Sequence, residues 1–100
     1  MPIAVEIQDE NGRRLADPWW HPRSTELLCS NLSAPGYLSG IDPYGDTTFN
    51  QLQLPLVLNE IRAMRAASTE PAAAEVLDQL LAYLAGAIDR THVYVKFIGD

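Results

Sequence analysis

Asp42 and Asp46 stand four residues apart in Ile-Asp-Pro-Tyr-Gly-Asp-Thr-Thr-Phe-Asn, residues 41–50, the most sharply patterned stretch of this 100-residue chain. Two carboxylates on one loop are the raw material of a cation site or an acid–base pair, and His92 could join them if the fold brought it there. A hard cation wants roughly six to eight oxygen ligands, however, and this loop supplies far fewer. A local role accounts for the same residues. A type I turn favours Asp at its first position, Pro at its second and Gly at its fourth, the order of Asp42, Pro43 and Gly45. Asp42 is then expected to accept a hydrogen bond from its own turn, and Gly45 to take the left-handed conformation of a bulged loop. The expectation is a β-hairpin joining "YLSGI" to "TTFN", with no metal.

The remaining reactive side chains are sparse. His21 and His92 are the two imidazoles and Cys29 the one thiol, whereas zinc takes three or four ligands. Cys29 falls on a leucine-rich stretch, where a thiol is expected to be buried and inert. Glycine-rich phosphate loops, nucleophile elbows and His-Glu-x-x-His helices are absent, so no cofactor is called for. "DPWWHP" is the stronger hint. Adjacent side chains on an extended segment point to opposite faces, so Trp19 and Trp20 cannot both turn inward on a strand. With His21 they form the expected binding surface, because tryptophan is enriched at interaction hot spots.

Positioning these residues is the work of a single domain spanning residues 1–100. The hydrophobic fraction of 47% and the charged fraction of 20% fit a globular protein with one core. Thirteen acids against seven bases leave a formal charge of −6, and Lys96 is the only lysine. Nucleic-acid binding needs clustered positive charge, so nucleic acid is not an expected partner. The excess acid would instead steer the protein toward a basic one. No apolar run reaches the roughly 18 residues of a membrane span, and no leader is evident, so a cytoplasmic protein is expected.

Ile3, Val5 and Ile7 alternate on one face of a first strand, and Asn11-Gly12 suits a two-residue hairpin loop. That register sets Glu10 opposite Arg13 and Asp9 opposite Arg14. A short helix follows, with Ser24 as N-cap, Leu27, Leu28 and Leu32 on one face, and Pro35-Gly36 ending it. Val57, Ile61 and Met64 mark a second helix with Pro55 in its first turn. Ala73, Leu77, Leu80, Leu84 and Ala87 mark a third over residues 71–89, with Thr69 as N-cap and Pro71 just inside. Val93, Val95 and Phe97 alternate on a last strand that His92 begins. The order ββαββααβ defines an α+β fold. Its antiparallel sheet comprises two hairpins plus the last strand, under a layer of two antiparallel helices and one short helix.

The central "IDPYGDTTFN" together with "HVYVKFIGD" resembles a family of short, uncharacterised bacterial proteins with an Asp-Pro-Tyr-Gly-Asp-Thr-x-Phe-Asn segment and a Phe-Ile-Gly-Asp ending. The resemblance covers about a fifth of the chain and implies no catalytic residue. Small acidic α+β chains are also similar in general kind to toxin-neutralising immunity proteins, by analogy and with no shared motif.

Two functions compete. The first is a non-enzymatic protein-interaction domain, with an immunity-type inhibitor of a basic partner as one form and self-association as another. The alternative is a small enzyme or ligand-binding domain using Asp42, Asp46 and His92, which requires the hairpin tip and the last strand to converge.

Overall fold

The computed structural model describes residues 2–29 and 36–99. Its elements are strand β1 (Ala4–Asp9), strand β2 (Trp19–Trp20), helix α1 (Ser24–Cys29), a 3₁₀ turn at Leu38–Gly40, strand β3 (Asp46–Asn50), helices α2 (Leu54–Ala67) and α3 (Pro71–Ala85), and strand β4 (Val93–Ile98). The strands form one antiparallel sheet in the order β2-β1-β4-β3. The α+β class, the antiparallel sheet and the helical layer are as the sequence predicts.

Strand alternation sorts the side chains. Val5, Ile7, Val93, Val95, Phe97 and Phe49 are buried on one face, beneath Leu54, Val57, Leu58 and Ile61 of α2 and Leu77, Leu80 and Leu84 of α3. Phe49, on the edge strand β3, meets Tyr37 and Phe97 edge-on at ring centroid distances of 5.8 and 5.6 Å. Each large side chain fully buried here contributes about 1.5–3 kcal/mol of transfer free energy. The stripe from Ala73 to Ala87 is buried throughout, as its spacing demands, although α3 closes at Ala85, short of the expected residue 89. Pro55 and Pro71 both sit in first turns, where a missing N–H costs nothing. The N-cap of α3 is Glu70 rather than Thr69. In α1, Ser24 lies inside the helix, where its hydroxyl donates to the Ile3 carbonyl at 2.6 Å. Leu32 and Pro35, expected in and just after that helix, lie outside the described residues.

Two hairpin details differ from expectation. The first loop has three residues, because the Asp9 carboxylate accepts the N–H groups of Asn11 (2.8 Å) and Arg13 (2.9 Å) and tightens the turn. Gly12 alone takes positive φ, at 81°, and Asp9 N–H bonds the Arg13 carbonyl. This shifts the register by one, so Arg14 lies opposite Gln8 instead of Asp9, and its guanidinium forms an ion pair with the Glu6 carboxylate.

The second difference concerns the first arm of the expected central hairpin. Residues 38–40 form a 3₁₀ turn, and β3 pairs with β4 instead. The reason lies in Leu38 and Ile41, both buried. A helical turn sets residues three apart on one side, whereas an extended chain would send one of them to solvent. The Glu60 carboxylate on α2 fixes the turn by accepting the N–H groups of Tyr37 (2.9 Å) and Leu38 (3.1 Å).

Candidate functional site

The helices cover one face of the sheet. On the other, every described strand side chain except Glu6 is half-buried or exposed. One cross-strand row runs the full width of this second face: Trp20 pairs with Ala4, Ala4 with Ile98, and Ile98 with Asp46. The pairing of β1 with β2 settles the tryptophans. Trp19 lies opposite Val5 and packs against the core, while Trp20 lies opposite Ala4 and is 60% exposed. His21 belongs to the turn into α1, where its Nδ1 accepts the N–H of Arg23 at 3.1 Å.

The Asp42 turn closes beside the same row. Gly45 N–H reaches the Asp42 carbonyl at 3.4 Å, closing the turn, and Tyr44 N–H donates to the Asp42 carboxylate at 2.8 Å, the side-chain bond expected of Asp at the first position. Gly45 is not in the left-handed region, contrary to expectation. Glycine is needed there for a different reason, since a Cβ would stand 2.7 Å from Asp42 Oδ2. Gly99 N–H donates to the Gly45 carbonyl at 2.7 Å, so the two segments that carry the family resemblance form one clasp at this end of the sheet. Tyr44, third in the turn, is 83% exposed at its tip. Asp46 pairs diagonally with Lys96, carboxylate to ammonium 3.3 Å, on the open face.

His92 is elsewhere. It precedes β4, whereas Asp46 lies opposite the last residue of that strand, so the strand length of about 20 Å separates them. The convergence that a joint site of Asp42, Asp46 and His92 requires does not occur. His92 adopts φ 56°, an uncommon conformation for a non-glycine residue, held as its N–H donates to the Gln51 side chain. Its Nδ1 lies 3.7 Å from Glu10 Oε2, both side chains exposed, beside an open cleft of about 520 Å³ that Leu15, Asp89 and Arg90 also line. Among the described residues, no three His, Cys, Asp or Glu side chains gather to hold a metal. Cys29 is half-buried, and both burial and the nearby negative charge of Asp42 push its thiol pKa up, away from a reactive thiolate.

The sequence singles out Trp20 and Asp46 but not the row that joins them. Ile98 carried a signal, since a residue next to inward Phe97 must face outward. Ala4 carried none. No known protein family, curated protein or solved structure matches this chain.

Proposed function

We propose that this chain is a cytosolic protein-interaction domain that binds through the open sheet face, with Trp20 as the anchor. The supporting observation is the 60% exposure of Trp20 on a face that the helices leave bare. A half-exposed indole beside small Ala4 presents a large apolar surface at little conformational cost, the pattern of an interaction hot spot. The separation of His92 from Asp46 weighs against the competing enzyme reading. Kinship with short bacterial proteins that share the two clasp segments belongs to the same proposal. The clasp serves to shape this end of the face.

Single-tryptophan variants test the reading. With Trp19→Phe, the fluorescence of Trp20 should be readily quenched by acrylamide and shift to the blue when a partner covers it. Trp20→Ala should weaken capture of that partner by about 30-fold or more, corresponding to a loss of about 2 kcal/mol, while circular dichroism stays unchanged. Equal capture by the wild type and Trp20→Ala would remove the open face from consideration.

A further inference from the structure

Asn11-Gly12 is the one place in the chain where an asparagine precedes a glycine. Asparagine is among the chemically labile residues, because its side-chain carbonyl carbon can be attacked by the backbone nitrogen of the next residue. With no Cβ on that residue, the nitrogen meets little steric resistance on the way. The surroundings of the described asparagines single out the same position. Asn50 Oδ1 accepts the N–H groups of Leu52 and Gln53, each at 2.9 Å, and Asn59 Oδ1 accepts from Arg62 Nη1 at 3.1 Å. Among the described residues the Asn11 side chain has no such partner, and both Asn11 and Gly12 are exposed. Its carboxamide is free to turn toward its own backbone, and water reaches it.

The backbone there is held. Gly12 N–H donates to the Asp9 carbonyl at 3.0 Å, and the Asp9 carboxylate accepts the N–H groups on either side, those of Asn11 and Arg13. A nitrogen that attacks must first leave this clamp and give up its proton. The folded loop therefore opposes the reaction that its sequence favours, and the rate follows the population of the open loop.

We infer that Asn11 is a site of spontaneous deamidation, gated by opening of the first hairpin loop. In the open loop the deprotonated Gly12 nitrogen attacks Asn11 Cγ. The new C–N bond closes a succinimide ring as the bond to the side-chain nitrogen breaks, and that nitrogen takes a proton from solvent and leaves as ammonia. Water then adds to either ring carbonyl and opens the ring to aspartate or isoaspartate. Nothing is oxidised or reduced. Both products place a carboxylate next to those of Asp9 and Glu10, and the isoaspartyl linkage also lengthens the backbone by a methylene. The loop is fitted to Asp9 by bonds on both sides of Gly12, so the isoaspartyl chain cannot restore them all. The modification is one-way, and it weakens the loop that gates it.

The full chain, incubated at mildly alkaline pH either folded or in concentrated urea, reports the reaction at each asparagine by peptide mapping and mass spectrometry. Conversion at Asn11 should be about tenfold or more slower in the folded chain than in urea. Urea below the unfolding transition should leave the folded rate unchanged, because opening one loop exposes little surface. Asp9→Ala keeps Asn11-Gly12 but removes the carboxylate clamp, and should speed conversion about fivefold in the folded chain while changing nothing in urea. Asp9→Asn keeps the side-chain shape and an acceptor oxygen, should speed it less, and serves if Asp9→Ala disturbs β1. Gly12→Ala should slow conversion strongly in urea, where its effect on the fold does not enter. Equal rates in the folded and unfolded chains, or an unmoved rate in Asp9→Ala, would show that the loop imposes no gate. A folded rate that climbs with urea in step with global unfolding would move the gate from the loop to the whole chain. Comparable conversion at Asn50 or Asn59 in the folded chain would remove Asn11 as the selected site.

Discussion

A methyl group added at Gly99 would stand 2.6 Å from the carbonyl carbon and oxygen of Pro43 and from the Asp42 carbonyl oxygen. Those are backbone atoms of a hydrogen-bonded turn and cannot swing aside. Gly99→Ala should therefore destabilise by about 1–3 kcal/mol through overpacking, read as a lower urea midpoint at constant slope. Gly40→Ala, where nothing lies within 4 Å, is the matched control and should show no such loss. At Gly45 the obstacle is the Asp42 carboxylate, 2.7 Å from the added Cβ and engaged by Tyr44 N–H. Gly45→Ala should cost about 1 kcal/mol, and much of that should vanish in an Asp42→Ala background. Full additivity in that double-mutant cycle would show that the carboxylate is not the obstacle. The sequence identified both the turn and its glycine. It assigned Gly45 to the left-handed region because pattern rules weigh φ preferences, whereas the fold uses the missing Cβ for close approach.

At the scale of elements, the helices were legible because their apolar stripes repeat a local period, and burial follows that period. Leu80 is fully buried at the centre of its stripe. Leu80→Ala should cost about 2–5 kcal/mol, the sum of lost transfer energy and the cavity left behind, measured by chemical denaturation. An unmoved midpoint would contradict the packing of α3 on the sheet. The strands were legible face by face for the same reason, down to the division of Trp19 from Trp20. What could not be read was the 3₁₀ turn at Leu38–Gly40. Tyr37, Leu38 and Ile41 have strand-like composition, and the partner that decides otherwise is the Glu60 carboxylate, more than twenty residues away on α2.

For the whole molecule, the stability profile with pH follows from groups that join distant segments. Arg23 grips Glu70 through two hydrogen bonds of 2.6 and 3.0 Å and Glu26 through a third of 2.7 Å, tying α1 to the start of α3. The Arg23 guanidinium holds the Glu70 carboxyl below its ordinary range. The unfolded chain therefore binds more protons than the folded one there. The contribution is present above the ordinary carboxylate range and lost as pH falls through the folded value. Tyr83 behaves in the opposite sense. Burial pushes its phenol up, and its hydroxyl donates to the Asp17 carbonyl at 2.7 Å, so the stability it adds is lost as pH rises above the ordinary phenol range. Melting temperature against pH should show a plateau. Glu70→Gln should flatten its acid limb and Tyr83→Phe its alkaline limb; unchanged limbs would mean that neither group is linked to folding.

The sequence by itself determined the α+β class, the buried face of each strand and helix, the chemistry of the Asp42 turn and the divergence of the two tryptophans. All of these are set by periodicity and φ preferences within a few residues. Only the tertiary structure decided that β1 and β4, about ninety residues apart, are central neighbours, that β3 joins β4, and that Trp20, Ala4, Ile98 and Asp46 fall on one row. Backbone N–H and C=O groups are alike on every strand, so pairing and register are chosen by the joint packing of the whole core, and no local pattern encodes that choice.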